Sequence, residues 1–307
     1  MRILFMGTPE FAVPSLRILL DHSYEVSGVV TAPDKPRGRG QHVSYPPIKE
    51  FAQKLHLPIL QPENLMDAAF ASDVRQLHPD LIVVVAFRIL PREIFTIPTF
   101  GSFNLHASLL PKYRGAAPIQ WAIINGEQES GVTTFFLQEK VDTGSILLQA
   151  RVTIGADETA GELHDTLSEV GAEMVLQTVR LIECGKAKPR LQDESRACPA
   201  PKIFKNDCRI NWKKTSEQVH NLIRGLSPSP AAWTTHQGKT IKIYRSSIVK
   251  TPSNAIGTVL RRTSDTLLVG TGDGTLSIIE IQQEGKRRLG IEEFLRGYSI
   301  REGDMFE

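Results

Sequence analysis

Asn104 and His106, in the stretch S-F-N-L-H-A-S-L-L-P-K-Y-R-G-A-A-P-I-Q from Ser102 to Gln120, and Asp142, in V-D-T-G, have the side-chain types that attack on a carbonyl requires. An amine nucleophile needs a donor for the developing negative oxygen, a route for its own proton and a proton for the leaving group. Asn104 is a neutral donor that does not titrate. His106 is a charged donor and a proton source if a carboxylate keeps it protonated. Asp142 is an acceptor for the proton of the amine. Asn104 and His106 are two residues apart, so an extended segment projects both from one face. No metal is needed for such a set. Taken singly, each residue has a plainer reading: Asn and His at a strand end cap the next turn, and Asp142 opens a β-turn through D-T-G.

The elements around them read as an α/β unit. Arg2–Met6, Glu25–Val30 and Leu81–Ala86 are apolar, strand-like runs, and the continuous L-I-V-V-V-A suits a central parallel strand. Between them Val13–Asp21, Pro47–Leu55 and Asp67–His78 have helical patterning. The alternation predicts a Rossmann-like, doubly wound, mostly parallel sheet, whose ligands lie at the carboxyl ends of its strands. Gly7, Phe87 and His106 fall at such ends. No G-x-G-x-x-G follows the first strand, which leaves a dinucleotide site without support. Strands are expected at Gly131–Leu137 and Ser145–Val152, and a long helix over about Ala160–Cys184.

Residues 1–184 therefore read as one domain and 185–204 as a linker, the stretch from Gly185 to Pro201 being rich in Lys, Pro and polar residues. Residues 205–307 form a second domain. It has a helix over Ser216–Arg224 and short β-prone runs at Thr240–Tyr244, Gly257–Leu260, Thr266–Val269 and Leu276–Ile281, the pattern of a small barrel. G-T-G-D-G at Gly270–Gly274 lacks the Lys-Ser/Thr ending of a phosphate loop and reads as a hairpin turn.

A chain of 307 residues, 41% hydrophobic, can bury two cores. No apolar run reaches the roughly 18 residues of a membrane span. The first residues enter strand-like R-I-L-F-M without a secretory leader, which makes cytoplasmic residence the default expectation. Cys184, Cys198 and Cys208 are too widely spaced for a C-x-x-C unit. Residues 1–204 hold 20 Lys and Arg against 23 Asp and Glu, whereas residues 205–307 hold 16 against 11. The basic second part fits polyanion binding, as do Lys35, Arg37 and Arg39 in the long loop T-A-P-D-K-P-R-G-R-G-Q-H-V-S-Y-P. Both features equally describe a solvated surface.

N-x-H-x-S-L-L-P followed by Y-R-G-A-A-P-I-Q and D-T-G resembles the folate-dependent formyltransferases. G-T-P-E-F at Gly7–Phe11, D-K-P-R-G-R-G at Asp34–Gly40, I-N-W and I-R-G-L-S-P-S-P extend the resemblance over nearly the whole chain. It is greatest to the members whose acceptor is initiator methionyl-tRNA. The resemblance implies catalytic roles for Asn104, His106 and Asp142, and 10-formyltetrahydrofolate as formyl donor, held along Ser108, Leu109, Leu110 and Pro111. It further implies tRNA contacts from Lys35, Arg37 and Arg39, an OB-like second domain, no metal, no membrane and a monomer. In one place the chain departs from the family. The usual A-Y-G and a further residue before I-L-P are replaced by Ala86-Phe87-Arg88-Ile89-Leu90-Pro91, and Arg88 reads as making a local salt bridge rather than facing the folate glutamate tail. The nearest rival acceptor is a nucleotide-linked amino sugar, whose enzymes share N-x-H-x-S-L-L-P-K-Y-R-G and W-x-x-x-N-G-E, here Trp121–Glu127. A glycinamide ribonucleotide transformylase would be a shorter, single-domain chain. A noncatalytic RNA-binding protein is the reading from another class.

Overall fold

The computed structural model describes residues 1–37, 42–253 and 255–307. The chain divides into two compact units. One is Met1–Gly115, Ser130–Val152 and His164–Pro199; the other is Ala116–Glu129, Thr153–Leu163 and Ala200–Glu307.

The strands that build the first unit are β1 (Arg2–Gly7), β2 (Glu25–Val30), β3 (Lys35–Arg37), β4 (His42–Ser44), β5 (Ile59–Leu60), β6 (Leu81–Val85), β7 (Ser102–His106), β8 (Glu129–Phe136) and β9 (Ile146–Thr153). Among the described residues β3 and β4 pair with each other as a separate two-stranded sheet, and the rest form one sheet in the order β5-β2-β1-β6-β7-β8-β9. The pairs from β5 through β7 are parallel, while β8 runs antiparallel to β7. The chain winds from β1 outward through β2 to β5, then restarts at β6 on the other side of β1. This is the expected doubly wound arrangement, and the strand order reverses between β1 and β6, where such sheets open a crevice. Leu4, Met6, Ile82 and Val84 cover one sheet face together with Phe70, Ala71 and Val74 of helix Ala68–Gln76. Ile3, Phe5, Val83 and Val85 alternate with them and are equally buried, which is why these strands read as continuous apolar runs.

β7 is fixed from three directions. Asn104 sits opposite Val84 on one side and Phe135 on the other, and His106 opposite Thr133. Helix Ala160–Glu183 approaches at Gly171, where an added Cβ would lie 2.7 Å from Leu105 Cδ2. Its Ser168 hydroxyl donates to the Phe11 carbonyl, 3.0 Å away. Within the stretch read as a linker, Arg190 and Ile146 exchange backbone hydrogen bonds of 2.7 and 2.8 Å, a helical turn follows at Glu194–Arg196, and residues to Pro199 group with the first unit. Its composition carries no information about those backbone partners.

In the second unit β10 (Ala232–His236), β11 (Lys239–Val249), β12 (Val259–Arg262), β13 (Leu267–Gly270) and β14 (Thr275–Gln283) make an antiparallel sheet in the order β10-β11-β14-β13-β12, with β15 (Leu289–Gly290) on β14. The chain end bridges the two outer strands. Glu307 exchanges backbone hydrogen bonds with Thr235, Phe306 donates to Gly257 and Asp304 accepts from Val259. That bridging gives the antiparallel unit its barrel-like character. The core gathers Trp212, Ile223, Ile243, Val269, Ile278 and Phe294. Gly270–Gly274 is the hairpin turn expected, with Thr271 N–H donating to Gly274 O at 2.8 Å. β10 lacks an apolar signature because its inward residues include Thr234 and His236, both wholly buried.

Candidate functional site

β7 delivers Asn104 half-buried and His106 buried. His106 Nε2 lies 2.8 Å from the Tyr113 carbonyl, and Nδ1 lies 3.8 Å from Asp142 Oδ2. The imidazole and carboxylate, 36 residues apart in sequence, are thus brought together, with Asn104 on the same strand face. A neutral ring has one N–H to give; with Nε2 donating to Tyr113, Nδ1 faces Asp142 bare, whereas a ring protonated at both nitrogens has an oxygen opposite each.

Asp142 is shaped by its own turn. Its φ of +54° is in the left-handed region, which Asp tolerates better than most residues. Two residues on, a Cβ at Gly144 would fall 1.6 Å from Phe136 O, so only glycine fits. Asp142 Oδ2 accepts the Gly115 N–H at 2.9 Å. Asp142 O and Gly144 O each accept from Gln192 Nε2, at 2.9 and 2.8 Å. In the sequence Gln192 is one polar residue in a polar stretch and carries no signal of this contact.

The S-L-L-P segment is held by its neighbours. Ser108 Oγ donates to Lys112 O at 2.6 Å, and Thr133 Oγ1 donates to Ser108 O at 2.6 Å and accepts from Leu110 N at 3.1 Å. Gln149 Nε2 donates to Leu110 O at 2.9 Å. Leu110 packs with Phe135 and Ile146, and Pro111 is buried, whereas Leu109 stays half-buried. Leu109 is therefore the apolar side chain of the four with surface left to offer a flat ligand. Thr133, opposite His106, organises the segment and gave no signal beyond a β-prone T-T pair.

Arg88 donates to two backbone carbonyls, Pro62 O at 2.6 Å and Glu63 O at 2.9 Å, rather than to a carboxylate. Burial pushes its guanidinium pKa down. The expected salt bridge is replaced by a strut on the 62–63 segment, because carbonyls lie where the side chain reaches.

Of the basic loop, Lys35 is exposed in β3, Arg37 ends that strand, and Arg39 lies outside the described residues. The loop is rooted at Asp34, whose carboxylate accepts from Gln61 Nε2 at 2.8 Å and pairs with Lys49 Nζ at 2.6 Å. Those two donors, Gln61 first, hold its pKa down. In the second unit several cations are engaged internally: Arg245 with Glu162, Arg287 with Glu293 and Arg288 with Glu280. Among the described residues no group of His, Cys, Asp and Glu gathers as metal ligands, and no helix is long and apolar enough to cross a membrane.

A family model described as formyl transferase matches residues 1–179, and one described as formyl transferase, C-terminal domain, matches residues 202–299. The chain is 46% identical to the methionyl-tRNA formyltransferase of Caldanaerobacter subterraneus subsp. tengcongensis over 309 residues, covering 100% of both chains. It is 51% identical to that of Chlorobium luteolum, covering 97% of both. Among solved structures, the N-formyltransferase from Helicobacter canadensis in complex with folinic acid and dTDP-3-aminofucose superposes with a TM-score of 0.68 at 22% identity, covering 92% of this chain and 98% of that one. HypX from Aquifex aeolicus in complex with tetrahydrofolic acid gives 0.67 at 20% identity; this chain is covered completely and spans about half, 51%, of that one. At such identities these structures share a fold with the chain.

Proposed function

The chain belongs to the formyl transferase family, and from that premise we propose that it transfers the formyl group of 10-formyltetrahydrofolate to the α-amino group of methionyl-initiator-tRNA. The observation that carries the chemistry is the convergence of His106 and Asp142 beside Asn104 at the end of a sheet strand. The acceptor is supported by identities of 46% and 51% over nearly the full chain to methionyl-tRNA formyltransferases, against 22% to the sugar enzyme.

In this reading the folate supplies the activated formyl carbon. The residues present fit a flat, partly apolar ligand with a few fixed polar contacts, Leu109 being half-buried on the segment that follows His106. Asp142 takes the proton lost by the amine. Asn104 and His106 donate to the formyl oxygen as negative charge develops there, and a proton returned to the folate nitrogen releases it as the new N–C bond forms and the old one breaks. Holding amine and formyl donor together supplies much of the rate. Ser108, Leu109, Leu110 and Pro111 line the folate side. Lys35, Arg37 and Arg39 contact the acceptor end of the tRNA, arginine pairing phosphates and stacking on unpaired bases. The division into a catalytic domain over 1–184, a linker over 185–204 and a tRNA-binding domain over 205–307 belongs to the same proposal, as do a cytoplasmic location and a monomeric state.

The test is formyl transfer by the purified protein to initiator methionyl-tRNA, elongator methionyl-tRNA and a nucleotide-linked amino sugar, side by side. Transfer to the initiator alone is the expected outcome. Transfer to the sugar alone would move the chain to the rival acceptor, and transfer to none would leave the noncatalytic RNA-binding reading.

A further inference from the structure

Asp142 has no helix or long strand to hold it. The D-T-G turn follows β8, and its first residue adopts a left-handed backbone that persists only where the surroundings enforce it. The enforcing contact comes from a remote part of the chain. Gln192 gives both hydrogens of its amide to this turn, one to Asp142 O at 2.9 Å and one to Gly144 O at 2.8 Å. Its own Oε1 is occupied as well, accepting from Arg114 Nη2 at 2.7 Å and Nε at 3.2 Å. Arg114 is locked in turn by a two-pronged ion pair with Glu194, of 2.6 and 2.9 Å. Arg114 N–H donates to Cys198 O at 3.0 Å, which fastens the same two segments by backbone.

The next residue after Arg114 completes a circuit. Gly115 N–H binds Asp142 Oδ2, the oxygen that faces His106 Nδ1. Carboxylate, Gly115, Arg114, Gln192 and the Asp142 carbonyl thus form a closed ring of bonds that holds the residue at both its backbone and its side-chain end. Only an amide side chain can donate twice to carbonyls and also accept from a guanidinium.

We propose that Gln192 is the positioning residue that sets the Asp142 carboxylate against His106, with Arg114 as its clamp. The inference rests on the formyl-transfer reading above. Gln192 touches no reacting atom and acts through Asp142 alone. A misplacement near 1 Å can cost about 100-fold in rate, so the expected loss is in turnover rather than in substrate affinity.

The experiment compares Gln192→Met and Gln192→Glu with the unaltered full chain in formyl transfer to initiator methionyl-tRNA. Gln192→Glu keeps a partner for Arg114 and removes both donors to the turn. Each variant is expected to lose roughly 10- to 100-fold in kcat, with KM for 10-formyltetrahydrofolate and for the tRNA within about twofold. Adding Gln192→Glu to Asp142→Asn is expected to slow that variant no further, since a residue acting only through Asp142 has nothing left to position. Should circular dichroism show Gln192→Met unfolded, Gln192→Glu and the double variant carry the test. Unaltered kcat in Gln192→Glu, a loss confined to KM, or fully additive losses in the double variant would overturn the proposal. An unaltered chain that transfers no formyl group would sink the functional reading and this inference with it, whereas an active chain with indifferent variants sinks only the latter.

Discussion

His106 in the first unit and His236 in the second both face carboxylates, yet the tighter pair is the one that lies outside the proposed chemistry. His236 is wholly buried, with Nδ1 2.8 Å from Tyr298 OH and Nε2 3.3 Å from Asp304 Oδ2. His220 is similar, lying 3.0 Å from Ser246 Oγ and 3.3 Å from Asp157 Oδ1, and burial pushes its pKa down. His106 has one short contact, to Tyr113 O, and a longer 3.8 Å approach to Asp142. A histidine bound on both nitrogens inside a core serves as a cross-link. One with a loosely held nitrogen at a strand end, beside a half-buried amide, can exchange a proton and a hydrogen bond with a substrate. Nearness to a carboxylate therefore does not by itself mark a catalytic histidine.

The comparison breaks most readily at His106. His106→Ala is expected to slow formyl transfer by roughly 100- to 10,000-fold, and Asn104→Ala by about 100- to 1000-fold, with the fold intact by circular dichroism. Rapid single-turnover transfer in either variant would erase the distinction. His236→Ala should do the opposite. It leaves Tyr298 and Asp304 without their buried partner and is expected to cost about 2 to 3 kcal/mol in denaturant unfolding, with kcat unchanged for the folded protein.

The smallest effect sharpens the contrast between carboxylates. Glu162 in the second unit accepts from the Thr159 backbone N–H and hydroxyl and pairs with Arg245, which together hold its pKa down to about 2, from 4.5. The folded value lies below the unfolded one, so this stabilisation is present above pH 4.5 and is lost as pH falls towards 2. Its side chain is 48% exposed, and solvent screening limits the contribution to about 1 kcal/mol. Glu162→Gln should lower unfolding free energy by that amount at pH 7, with the difference shrinking as pH falls from 4.5 towards 2. A difference that does not shrink over that range would show that the carboxylate charge is not the cause.

Much of the fold was legible because it rests on periodicity. Helix Val13–Asp21 has the bounds expected, and L-I-V-V-V became a central buried strand. β10 was not anticipated, because Thr234 and His236 face inward and leave its inner face without an apolar alternation. The short β5 and β15, of two residues each, are too brief to carry any pattern. In the site, Asn104 and His106 on one strand face followed from their spacing. Gln192 and Thr133 did not, since each acts through a backbone group whose position no side-chain pattern encodes.

What lay in the sequence was therefore local: the identity of the longer strands and helices and the shared face of Asn104 and His106, both consequences of covalent geometry within a few residues. Only the tertiary structure decided that Asp142 meets His106, that Gln192 and Arg114 enclose the Asp142 turn, and that Arg88 binds carbonyls instead of a carboxylate. Those outcomes depend on which remote backbone amides and carbonyls arrive beside one another, and the packing of the sheet and its neighbours sets that meeting.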